Sequence, residues 1–294
     1  MTLKTLHLLL TSIIVGILLG FFGATAAHYF RAGIDFLGNT SKNYFQNTTG
    51  FFFYFCALSL SAFIITLIKN GFKVTRWHGP ADTIFAAHRI DNELDVKTGV
   101  ASTLAAFVSA AGGASVGQYG PLVHFGATLG AFFKATLNLS ITTNVILGGG
   151  VAAAISAGFN APLAGIIFAH EAILRHFSPK ALAPIALASG TAFAVHSYLW
   201  DTSTPFLQSY TAMEIGPMIL ISITAGPFFG LVALLFMSAV LLFSKLPSQM
   251  GLTSFQSLLI AITGLSAIGT FYPQVMGIGT LTILDLTNTN TLLL

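Results

Sequence analysis

Three prolines in this chain each interrupt an apolar run at a place where a helix could begin: Pro80 in WHGPAD, Pro121 in GQYGPLVHFG and Pro162 in GFNAPLAG. Proline has a fixed φ and no N–H, so it suits the first helical turn. The unpaired N–H groups of that turn, with the positive end of the helix dipole, attract an anion. Gly117, Gln118, Tyr119, Gly120 and Pro121 therefore form one candidate anion-facing start, with a helix predicted from Pro121 towards Leu139. His78, Gly79 and Pro80 form a second, and the two could converge on one ion. Against this stands close packing of helices through small residues, which serves equally well for Gly112 and Gly113 but less well for Gly117 and Gly120 beside the proline.

A single acid, Glu171, follows the third proline in an apolar stretch, residues 150–174. A charge at the centre of a membrane helix costs roughly 2.5–3.5 kcal/mol on insertion scales. Read as buried, Glu171 must pair, face water or exchange protons, with His170 as a neighbour that could share the proton. The plainer reading puts it at the cytoplasmic membrane edge, helped by Arg175 one turn on.

These residues need elements to hold them, and composition says what kind. Of 294 residues, 54% are hydrophobic and 7% charged, where a soluble domain carries about 25% charged residues. The chain reads as an all-α, polytopic membrane protein. Apolar windows of spanning length fall near 5–27, 51–68, 99–116, 121–139, 145–174, 181–199, 216–243, 255–272 and 281–294. The many later windows favour an uncleaved first helix over a secretory leader, despite Lys4 before it and Ala24-Thr25-Ala26 after it. Backbone breaks at that depth are tolerated only when buried in protein or lining a watery cavity.

Polar segments 38–50 and 200–215 read as loops. The basic residues Lys69, Lys73, Arg76, Arg89 and Lys97 lie in or flank the longest polar segment, so it is expected in the cytoplasm, together with an N-terminus two helices earlier. Asp82, Asp91, Glu93 and Asp95 among them argue against a nucleic-acid partner. Cys56, without a partner, reads as a packing residue. The eight histidines are scattered, with no H-x-x-x-H pair on an apolar helix, so neither a metal nor another cofactor is expected.

The two proline segments also resemble a known family. GQYGPLVHFGATLG resembles the G-K/R-E-G-P anion-filter segment of the CLC chloride channels and chloride/proton exchangers, and GFNAPLAGIIFAHE resembles that family's A-F-N-A-P-L-A-G-I segment with its glutamate. The resemblance extends from GILLGFFGATAAHYF to YPQVMGIGTLTIL. It implies broken, tilted helices in two inverted repeats, here 1–210 and an incomplete 211–294, and a homodimer in the bilayer with one pore per subunit. It implies chloride at backbone amides around 117–121, and Glu171 at the internal proton-relay position.

The chain departs from the family pattern in four places. Tyr119 replaces the gating glutamate, and a phenol with a pKa near 10 does not replace a carboxylate that carries protons. Gln118 replaces the basic residue, and Trp77-His78-Gly79-Pro80 stands for the G-S-G-I-P segment. The family's G-x-F-x-P helix start and chloride-contacting tyrosine are expected beyond residue 294, which suggests a longer parent chain, a partner polypeptide or a nonfunctional remnant.

The expected function is chloride transport without enzymatic activity, passive, with Tyr119 as the gate. The alternative is proton-coupled exchange through Glu171, with His170. A distant rival is an intramembrane serine hydrolase built on Gly113-Ala114-Ser115-Val116-Gly117 with His124 or His170 as base, but a nucleophile elbow needs a strand-to-helix turn. The membrane is expected to be the plasma or inner membrane.

Overall fold

The computed structural model describes residues 3–45, 50–89, 93–137, 139, 141–200 and 215–279. Ten α-helices follow one another among them: α1 (Leu3–Phe45), α2 (Gly50–Phe72), α3 (Pro80–His88), α4 (Val96–Ala111), α5 (Tyr119–Leu137), α6 (Thr143–Phe159), α7 (Pro162–Phe168), α8 (Pro179–Trp200), α9 (Ile215–Gln249) and α10 (Ser254–Phe271). A π-helical turn, Ala169–Leu174, continues α7, and a 3-10 turn, Pro273–Val275, follows α10. No strand occurs among the described residues.

Five segments are long and apolar enough to cross a bilayer: Leu10–Gly38, Gly50–Phe72, Pro179–Trp200, Ile215–Gln249 and Ser254–Phe271. Helices α4, α6 and α7 with its π turn are apolar but shorter, below the roughly 20 residues a full span requires. Breaks at Gly and Pro thus divide the apolar windows into full spans and partial ones.

α6 is the centre of the molecule. Its residues from Ile146 to Ala157 are all buried, and it packs against α1, α5, α7 and α8. A helix apolar on every face belongs inside a protein. Its seam with α5 depends on two glycines: a Cβ on Gly126 would stand 2.2 Å from the Gly150 carbonyl oxygen, and one on Gly150 2.0 Å from that of Gly126. Nothing larger fits between the two backbones. By contrast, α9 buries no residue.

Two expectations need correction. The segment 38–50 is not a loop throughout, because α1 continues to Phe45. Its Gly, Asn and Thr are only weakly unfavourable to helix, and an established helix tolerates them. Cys56 is exposed on α2 instead of packed. Gly112 answers the packing reading, since a Cβ there would stand 1.8 Å from the Ser61 Oγ of α2. The polar segment 201–214 and the apolar window 281–294 lie outside the described residues.

Candidate anion site

α5 begins at Tyr119, two residues before the expected Pro121. The Gln118 carbonyl accepts the Leu122 N–H at 3.3 Å, which closes the first turn around the proline. The first N–H groups of a helix lack intrahelical partners, so a proline is tolerated at more than one place there. Tyr119 consequently belongs to the first turn and not to a loop before it.

α3 begins at Pro80 as expected. Its start carries its own anion: the Gly79 N–H donates to Asp82 Oδ2 at 2.8 Å, and Asp82 pairs with Arg76. Burial alone would push the Asp82 carboxyl up, but the Gly79 N–H together with the Arg76 guanidinium holds it below the usual carboxylate range. Asp95 caps α4 in a similar way. The Thr98 hydroxyl, outweighing the effect of burial, holds its carboxyl low.

The starts of α3 and α5 adjoin. A Cβ on Gly120 would lie 3.6 Å from Pro80 Cγ. Four residues on, hence on the same helix face, His124 Nδ1 meets the Thr83 hydroxyl at 2.9 Å. His124 is 1% exposed and its Nε2 has no hydrogen-bond partner. The His78 ring stands edge-on to His124, centroids 6.0 Å apart. The His78 N–H donates to Ser102 Oγ at 2.9 Å, while its buried Nδ1 has no partner.

His78 also borders a cavity of about 630 Å3 whose lining includes Arg89, Glu93, Asp95 and Lys134. Lys134 is fastened to the end of α5, donating to the carbonyls of Leu139 and, at 2.6 Å, Ile141. Gln118 is buried, with Oε1 unpartnered. Gly117 is exposed, with open space where a side chain would go.

Tyr119 lies on the third break. Its ring stacks on Phe159 with centroids 3.9 Å apart, and a Cβ on Gly158 would meet it at 3.3 Å. Asn160, left-handed at φ 54°, ends α6 there, a conformation asparagine tolerates. Pro162 opens α7. The break is held by serines: Ser156 Oγ donates to the Ser189 carbonyl and Ser189 Oγ to the Pro162 carbonyl, each at 2.7 Å.

Glu171 is exposed on the π turn, not buried. On that turn the side chain of Glu171 is outside the helix pack while its neighbour His170 is buried. His170 is 3% exposed, its Nδ1 at 2.9 Å from the Ile166 carbonyl and its ring stacked on Phe177. The hydrolase reading fails on geometry, since Ser115 is exposed in a helix-to-helix connection and His124 bonds to Thr83. No group of three or more metal-ligating side chains occurs among the described residues. The histidines are nevertheless not solitary, because His28 stacks on Trp200 at 4.3 Å with His196 nearby, and His78 faces His124. The partners missing from the sequence reading are Asp82, Thr83 and His124. The four-residue step from Gly120 to His124 is the signal that could have found the last.

The profile described as voltage gated chloride channel matches residues 60–294. The chain belongs to the voltage-gated chloride channel family. Among its curated relatives is the H(+)/Cl(-) exchange transporter ClcA of Vibrio cholerae, 26% identical over 244 residues, which are 78% of this chain and 50% of that protein. The chain thus spans about half the length of this relative. A slow cyanobacterial Cl-/H+ antiporter superposes with a TM-score of 0.77 at 14% identity, over 96% of this chain and 68% of the other. A CLC-type fluoride/proton antiporter gives 0.72 at 20%, over 96% and 70%. The fold is that of the CLC transporters, and the protein is an integral membrane protein.

Proposed function

We propose that this protein moves a small inorganic anion, chloride first, across the membrane by passive conduction. The observation that carries the reading is the meeting of the α3 and α5 starts at Pro80 and Gly120. The N–H groups and the dipole of the α5 start then act on one place, walled by the α3 start, whose Gly79 N–H is taken by Asp82, and there an anion loses its water with least cost. His78, Gly79, Gln118 and Gly120 border that place. Tyr119 is the gate, and its ring leaves the path only by leaving the stack on Phe159. A phenol does not cycle protons near neutral pH, which favours conduction over exchange.

The protein works as a homodimer in the plasma or inner membrane, its N-terminus on the side of the basic residues Lys69, Lys73, Arg76, Arg89 and Lys97. Residues 1–210 form the first repeat and 211–294 belong to the second. The rival, exchange through Glu171, has in its favour the π turn that carries this residue, a local geometry frequent at functional sites. Chloride efflux and proton flux recorded together from liposomes distinguish the two. Chloride movement without stoichiometric proton movement is the expected result, and protons driven uphill by a chloride gradient would overturn it.

A further inference from the structure

The seam between α3 and α5 contains more polar chemistry than an anion held by backbone amides requires. Pro80 adjoins Gly120, and Thr83 bonds to His124 one turn along both helices. Just before Pro80, His78 bridges the seam to the cavity. Each imidazole has one buried ring nitrogen without a partner, His78 Nδ1 and His124 Nε2. Leaving such nitrogens unpaired is costly, so they are expected to serve a guest that is not always present.

We propose that His78 and His124 together form a proton site that recruits the anion: one proton taken up from the cavity turns the pair cationic and raises anion affinity at the adjoining helix starts. The inference rests on the anion-site reading under Proposed function. Its logic is the reverse of a gating carboxylate. A carboxylate competes with the anion until it is protonated, whereas an imidazole attracts the anion once it is protonated. Proton and anion therefore bind together, and linkage requires each to raise the other's affinity by the same factor. Two rings with centroids 6.0 Å apart hold a single charge, on His78 at the cavity side, because burial and then the charge of His78 push the buried His124 imidazole down to about 4.

The surrounding charges agree with this arrangement. Asp82 of α3 and Asp95 at the start of α4 are the carboxylates close enough to His78 to interact with it electrostatically, while Arg76 pairs with Asp82. Arg89, Glu93 and Lys134 border the cavity. His88 of α3, Lys97 of α4 and Tyr119 of α5 are the other titratable groups on these helices, and the π turn adds His170 and Glu171. α6 has none. In α1, His28 and Arg31 act on His196 of α8, and Asp35 is next to Arg31. The Thr83 hydroxyl can donate to or accept from His124 Nδ1, so it suits either protonation state.

The test is chloride binding to the purified full-length protein by calorimetry at about pH 8 and about pH 5.5, which brackets the range of imidazole titration. Affinity should rise about five- to hundredfold on acidification, and chloride added to a weakly buffered sample should draw protons out of solution. Proton release, or no proton change, overturns the proposal. His78→Asn should make chloride affinity independent of pH, His124→Gln should weaken the dependence by removing the ring that faces His78, and pH dependence retained in the double variant places the proton elsewhere and overturns it. If either variant fails to fold, proton uptake by the unaltered protein still decides. Chloride binding that is equal at both pH values leaves the anion site standing and removes only the histidine pair, whereas no chloride binding at any pH removes both.

Discussion

α3 and α5 start side by side, yet the two starts are finished differently. That of α3 is closed by Asp82, which accepts from Gly79 and pairs with Arg76. That of α5 has no acidic residue in its first turn and places there an aromatic ring and a buried glutamine. One start is satisfied by its own chain, and the other keeps its donors for something else. Shared geometry therefore does not mean shared duty. In the proposed site α3 serves as a fixed wall, and α5 supplies the part that responds to a ligand.

The comparison is broken most severely by separating the two starts. α5 is held in place by its glycine seam with α6, and a Gly126→Val side chain would be driven into the Gly150 carbonyl at 2.2 Å. Backbone on both sides leaves no room to adjust, so the cost is about 3 kcal/mol. Thermal unfolding in detergent should show a large loss of stability, together with loss of chloride efflux. A variant with unaltered melting and flux would mean that the seam does not position α5.

The next effect concerns the ring at the α5 start. An aromatic stack is worth about 0.5–1.5 kcal/mol, so Tyr119→Ala should raise chloride efflux about two- to tenfold if the stack on Phe159 sets how often the path opens. Unchanged efflux would show that Tyr119 is not the gate. Tyr119→Glu supplies a carboxylate and should bring proton movement with it, whereas coupling unchanged from the parent protein would count against the position.

Much of this was legible in the residues themselves. Pro80 and Pro162 announced helix starts because proline has few other places to go in an apolar run, and the family resemblance rested on the segments around Pro121 and Pro162. What escaped was side-chain direction. Glu171 looked buried because its neighbours are apolar, but it is exposed on the π turn. Tyr119 looked like a loop residue because the proline after it seemed to mark the helix start, whereas the Gln118 carbonyl sets that start earlier. The pairing of His78 with His124 links residues 46 positions apart, and no local pattern encodes it.

A smaller effect tests the closed start. Asp82→Ala removes the acceptor for Gly79 and the partner of Arg76, which should cost about 1 kcal/mol, the typical worth of a lost cap. The sign of its pH dependence follows from a depressed carboxyl: the stabilisation is fully present above the ordinary aspartate range and is lost as pH falls through the lower, folded value. Melting of the parent protein should therefore decline below about pH 4, and the variant should be flatter over that window. If both curves fall in parallel, Asp82 is not the group that closes α3.

The smallest effect, and the sharpest on the open start, is at Gln118. Its Oε1 is buried without a partner, and an unsatisfied buried acceptor costs about 1–3 kcal/mol. Gln118→Met keeps the length of the side chain and removes that cost, so melting should hold or rise slightly. A site retained for its ligand at the expense of stability should lose function by the same change, because a side-chain amide at the start of α5 can turn its N–H groups towards an anion. Unaltered or improved melting with weaker chloride binding is thus the expected result. Weaker melting with unaltered binding would mean that the glutamine is there for packing, and the contrast between the two helix starts would then rest on Tyr119 and Gly120 alone.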